Sequence, residues 1–155
     1  MLEAGQRAPS FELKDAASGA KISLADVLAK GPAVLAFYKI SCPVCQLTMP
    51  YLSRMAGGSQ LQFIGISQDD ARDTEKFNRQ LGVHIETLLD ERSHGYAASN
   101  AYRITNVPSL FVVEPDGRIS AAVNGFSKRD LEQMGERAGM APFTSADKVP
   151  DFRPG

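Results

Sequence analysis

The chain has 155 residues, 43% apolar and 23% charged, a composition too apolar for intrinsic disorder and ordinary for one folded domain. Its 17 Lys and Arg against 18 Asp and Glu leave a net charge of −1, so a nucleic acid or an anionic membrane is not the expected partner. No apolar run approaches the roughly 20 residues needed to cross a bilayer, and the start MLEAGQRAPS has neither a basic nor an apolar leader region. The expectation is a soluble, unanchored protein, cytoplasmic in the first instance, with the periplasm or another exported location as the alternative.

Taken in chain order, Ser23 with Asp26 forms a capping box, and Lys30-Gly31 closes the short helix that follows. The stretch 32–38 (PAVLAFY) is almost continuously apolar, as is 61–67 (LQFIGIS). That is the pattern of strands covered on both faces. Asp69 or Asp70 can cap a helix ending at Gly82, with Phe77 and Leu81 one turn apart on its apolar face. A short strand is expected over 85–89 and a helix from Ser93 through Tyr102. SLFVVE (109–114) runs into Pro115-Asp116-Gly117 and then a polar-apolar stretch to Val123, which reads as a hairpin. Ser127 with Asp130 opens a last helix running to Ala138 before Gly139. The segment 141–155 holds three of the nine prolines and no periodicity, so it is expected to be an extended strap or a disordered end. Strands alternating with helices and closed by a hairpin give a three-layer α/β/α domain over 1–140 with a mixed central sheet.

The two cysteines, Cys42 and Cys45, lie directly after the first central strand, at the start of a helical segment. A thiol in a first helical turn meets free N–H groups and the positive end of the helix dipole, which favour the nucleophilic thiolate. Cys42 falls at the N-cap and Pro43 at the first helical position, where its missing N–H costs nothing. Three-residue spacing brings Cys45 onto the same face, within disulfide reach. The pair can therefore cycle between dithiol and disulfide. The only histidines, His84 and His94, do not match zinc-ligand spacing, so no metal is expected, although a metal carrier using the two thiolates is a third reading.

FYKISCPVC followed by a helix with Pro50, the segment Gly5-Gln6-Arg7-Ala8-Pro9-Ser10-Phe11-Glu12-Leu13 (the GxxAPxFxL pattern) and Val107-Pro108 before SLFVV together resemble the thioredoxin superfamily. Within it, the chain is similar to the redoxin branch of TlpA-type oxidoreductases and AhpC/TSA proteins. The resemblance implies a thioredoxin-like fold with an N-terminal extension and a redoxin-type insertion over 70–102. It implies no cofactor and makes Cys42 and Cys45 the catalytic pair, with Val107 and a cis Pro108 as substrate-binding residues. Pro43, Tyr38 and Lys39 would support them, Lys39 as an electrostatic helper. The implied partners are a protein or small thiol carrying a disulfide or dithiol, and a reductase or thiol pool supplying electrons. A monomer or weak dimer is expected.

Four positions depart from the resemblance. Ala36 stands where thioredoxins carry a buried acid, Ser41 where an aromatic precedes the first cysteine, and Pro43-Val44 replaces Gly-Pro. Aligned instead on peroxiredoxins, Cys45 takes the peroxidatic position and Cys42, their threonine position, would be the resolving thiol. Pro108 then falls where those enzymes place an arginine. With hydroxyl and guanidinium both missing, little remains to polarise an O–O bond. Thiol-disulfide exchange is the leading expectation and thiol peroxidase the alternative.

Overall fold

A computed structural model describes residues 1–155. The two apolar runs become β3 (Ala33–Tyr38) and β4 (Gln62–Ser67), parallel neighbours in register from Ala33↔Gln62 to Tyr38↔Ser67. All six residues of β3 are buried, and alternate side chains feed two separate cores, as a two-residue period requires. Val34, Ala36 and Tyr38 enter the core beneath α2 (Pro43–Met55), α3 (Ala71–Gln80) and α5 (Lys128–Ala138). Ala33, Leu35 and Phe37 enter the opposite core, covered by α1 (Leu24–Leu28), α4 (Ala97–Ala101) and Leu2 near the N-terminus. This is the expected three-layer arrangement.

The hairpin of β6 (Ser109–Val113) and β7 (Ile119–Asn124) pairs antiparallel onto β3, turning at Asp116-Gly117 with Gly117 at positive φ. On the other side β5 (Glu86–Leu89) runs parallel to β4. Beyond β5 lies a hairpin that the sequence did not announce, β1 (Glu12–Asp15) with β2 (Lys21–Ser23), giving the order β2-β1-β5-β4-β3-β6-β7.

The capping box at Ser23 and the cap at Ser127 form as expected. Ser23 and Asp26 exchange both hydrogen bonds at 3.0 Å, and Asp130 N–H donates to Ser127 Oγ. The continuous helix expected from Ser93 through Tyr102 does not form. A single 3-10 turn over Arg92–His94 ends at Gly95, and Gly95 and Tyr96 both take positive φ before α4 begins. The buried carboxylate of Asp90 explains the restart: it accepts the N–H groups of Ala98 (3.1 Å) and Ser99 (2.7 Å) and so caps α4 from the end of β5. After α5 the chain crosses back over the molecule, and β9 (Phe152–Arg153) pairs with β8 (Phe126–Ser127). No helix is long and apolar enough to cross a membrane.

Candidate active site at the start of the second helix

β3 ends at Tyr38, and a turn closed by Cys42 N–H donating to the Lys39 carbonyl (3.3 Å) delivers the chain into α2. Cys42 is the N-cap, with extended φ/ψ of −89° and 116°, and Pro43 occupies the first helical position. In place of a capping oxygen, Cys42 presents sulfur: Cys45 N–H donates to Cys42 Sγ at 3.2 Å. Cys42 Sγ–H in turn donates to the Val107 carbonyl at 3.4 Å, across 65 residues of sequence. The Val107–Pro108 peptide is cis, and Pro108 is buried beside the site. The nucleophile candidate therefore sits between a helix start and the loop entering β6.

That loop is braced. The side-chain amides of Asn106 and Asn124 donate to each other's oxygens at 2.8 Å, Ser109 Oγ donates to the Asn106 carbonyl, and Gly125 N–H donates to the Pro108 carbonyl. Such a lattice fixes the Val107 carbonyl relative to Cys42.

The second sulfur has a different environment. Cys42 is partly exposed, whereas Cys45 is completely buried with Tyr38, Ala36 and Met49 in the core under α2. Burial pushes the Cys45 thiol far above its ordinary range, helped by its hydrogen bond to the Cys42 sulfur and by the charges of Cys42 and Asp69. The Lys39 main chain works in the opposite direction. The Lys39 side chain is exposed and forms no ion pair, so it is the backbone of Lys39 that meets Cys45. Tyr38 makes the floor: its hydroxyl donates to Asn78 Oδ1 at 2.8 Å, and burial raises its phenol to about 12.

Asp69 is a functional candidate that the sequence suggested only as a helix cap. The cap of α3 is Asp70, and Asp69 turns instead toward the sulfur turn, where its Oδ2 accepts the Ile40 N–H at 2.9 Å. It is thus a carboxylate fixed to the turn that follows β3, while the strand position expected to carry an acid holds Ala36. His84 and His94 are both exposed, and no group of three or more His, Cys, Asp or Glu side chains is arranged to hold a metal.

A sulfur pair at a helix start, facing a cis-proline loop at the end of the central strands of a mixed sheet, places the chain among thioredoxin-like folds. The fold superposes with a TM-score of 0.77 and 23% identity on the thioredoxin domain of a thiol-disulfide oxidoreductase from Bacteroides vulgatus, covering 88% of this chain and 97% of that one. More particularly, residues 4–122 match the AhpC/TSA family, and the chain belongs to that family. It is similar to the thiol-disulfide oxidoreductase ResA of Bacillus thuringiensis, with 27% identity over 136 residues, 84% of this chain and 76% of ResA. It also resembles a bcp protein of Helicobacter pylori named as a peroxiredoxin, with 37% identity over 122 residues, 76% of this chain and 77% of the other. The chain is an enzyme homologous to thiol-disulfide oxidoreductases, as its Cys-x-x-Cys motif leads one to expect.

Proposed function

We propose that the protein carries out thiol-disulfide exchange with Cys42 as attacking sulfur and Cys45 as resolving sulfur. The reading is carried by the placement of Cys42 Sγ, which is partly exposed and lies between a main-chain N–H donor and the Val107 carbonyl. In the reducing direction, Cys42 thiolate attacks one sulfur of a substrate disulfide, and the other substrate sulfur leaves as a thiolate. Cys45 loses its proton to water and attacks the Cys42 sulfur. That step forms the Cys42–Cys45 disulfide and expels the second substrate thiolate, so two electrons pass to the substrate. A dithiol reductase or a thiol pool returns the pair to the reduced state. Pro43 starts the helix that aims both sulfurs. Val107 and Pro108 offer the ledge against which a disulfide-bearing chain can lie.

The peroxidase reading keeps one specific support, the 37% identity to the bcp protein. Against it stands Cys45 itself. Its sulfur is sealed from solvent and its thiol is shifted upward, whereas a peroxidatic sulfur must be an accessible thiolate. Purified protein given a reductant should reduce an insulin-type disulfide in a Cys42-dependent way and consume hydrogen peroxide slowly. Rapid peroxide consumption that survives Cys42→Ser would reverse the assignment.

Direction rests on the same couple. Equilibration against glutathione should return a potential of about −270 mV if the protein works as a reductant. A value of about −120 mV would assign it instead to oxidation.

A further inference from the structure

The C-terminal segment lies along the ledge beside the nucleophile. Phe152 and Arg153 pair antiparallel with Ser127 and Phe126, and Lys128 N–H donates to the Asp151 carbonyl at 2.9 Å. The segment then passes Gly125, where the chain takes φ of +80° and where any side chain would run into the Arg153 carbonyl. It ends against the loop before Pro108: Asn106 Nδ2 donates to the Gly155 carbonyl at 3.2 Å. The Val107 carbonyl is so near that a Cβ on Gly155 would sit 2.7 Å from it. That oxygen is the one that accepts from Cys42 Sγ. Residues 151–155 thus cover a ledge built from 106–108 and 125–127, with the attacking sulfur at its end.

The way this segment is held suggests that it can leave. Residues 151–155 are all exposed, and Phe152 keeps 53% of its surface in water, so little apolar burial retains them. The grip is main-chain pairing over two residues plus the bonds from Lys128 and Asn106, and a two-residue ladder is marginal by itself. An extended polypeptide adding to the same edge would use the same main-chain groups of Phe126 and Ser127 and fill the same space beside the Val107 carbonyl. Two chains cannot hold them together.

We infer that Asp151–Gly155 is an intramolecular strap that competes with extended polypeptide disulfides for the ledge beside Cys42. The inference rests on the proposed exchange reaction at Cys42 and adds its regulation. A polypeptide must displace the strap before its disulfide reaches the sulfur, whereas a small disulfide that bypasses the ledge need not. A strap closed nine-tenths of the time lowers apparent polypeptide affinity about tenfold.

The test compares the full chain with a variant ending at Pro150, which keeps Val149 packed on the core and the Arg54–Asp147 ion pair in place. Two substrates are used, insulin and the small aromatic disulfide 5,5′-dithiobis(2-nitrobenzoate). The strap predicts that truncation raises kcat/KM for insulin about tenfold and leaves the small disulfide within about twofold. An insulin value that is unchanged or lower in a folded variant overturns it. If neither form reduces either disulfide, the exchange reading itself falls and the strap falls with it.

A second measurement keeps the chain whole and so decides the matter even if the shortened form fails to fold. In Cys45→Ser, Cys42 displaces one sulfur of a polypeptide disulfide, the other leaves as a thiol, and the adduct is trapped. Hydrogen exchange at the Lys128 amide, whose acceptor is Asp151, should then quicken at least about tenfold as the strap is expelled. Unaltered protection in the adduct overturns the proposal.

Discussion

Cys42 and Cys45 are one helical turn apart and chemically far apart. Around Cys42 the groups are main-chain ones, namely the Cys45 N–H, the Val107 carbonyl and the backbone of the incoming turn, and the sulfur is reachable from outside. Around Cys45 they are the side chains of a dry core with Tyr38, Ala36 and Met49, and the thiol is pushed upward. The difference assigns order to the reaction. In the proposed exchange the rim sulfur meets the substrate, and the floor sulfur acts only when a partner is already bonded one turn above it. A buried thiol that resists ionisation also protects the mixed disulfide from premature release.

The largest break in this contrast comes from removing the floor sulfur. Cys45→Ser should lower turnover on the order of 10³-fold while leaving the first attack intact. Intact mass after mixing with substrate would then show one adduct per chain, against none in the double variant Cys42→Ser/Cys45→Ser. Next in size is the pH dependence of resolution. Because the Cys45 thiol is shifted upward, its thiolate fraction, and with it the resolving rate, should climb about tenfold per pH unit between pH 6 and 9. Stopped-flow single turnover measures that slope.

Asp69→Asn keeps an oxygen acceptor for the Ile40 N–H but removes the negative charge that opposes ionisation of Cys45. The sign is therefore a lowered Cys45 pKa and resolution several-fold faster at fixed pH, read in the same experiment; slower resolution would give Asp69 the opposite role. Tyr38→Phe strips the donor from Asn78 in the floor and should cost about 1–2 kcal/mol of stability in urea unfolding, with the first attack unchanged.

The smallest effect lies outside both environments. The Glu114–Arg137 pair holds the Glu114 carboxyl at about 2 instead of 4.5, through its hydrogen bonds to Arg137 first and Ser120 after. A depressed carboxyl stabilises the fold above its unfolded pKa and loses that contribution as pH falls through the folded value. Glu114→Gln should cost about 1 kcal/mol at neutral pH, and the gap to wild type in thermal unfolding should close between pH 5 and 2.

Much of the site could be read before the structure because its signals are local. A short unbroken apolar run has the pattern of a covered strand, and Cys42-Pro43 at its end has the pattern of a helix start, with Pro43 at the first helical position. The hairpin was legible from Asp116-Gly117 for the same reason. What escaped was set across space. β1 and β2 are short, polar-alternating strands at one side of the sheet, ELKD and KIS, held by the pairing of β1 with β5 rather than by any apolar run. The break before α4 needs Asp90, eight and nine residues away from the amides it caps. Asp69 read as a cap because its partner, Ile40, lies 29 residues upstream. Phe152-Arg153 offers no periodicity in two residues and becomes a strand only because Phe126-Ser127 waits at the sheet's corner.

The order of the two sulfurs is tested most directly by trapping. Cys45→Ser is mixed with a polypeptide disulfide, the adduct is digested without reductant, and the attached sulfur is located by mass spectrometry, alongside peroxide consumption by Cys42→Ser. The account predicts the substrate on Cys42 and negligible peroxide consumption. Failure of Cys45→Ser to take up substrate, together with a Cys42→Ser protein that still consumes peroxide rapidly, would contradict it.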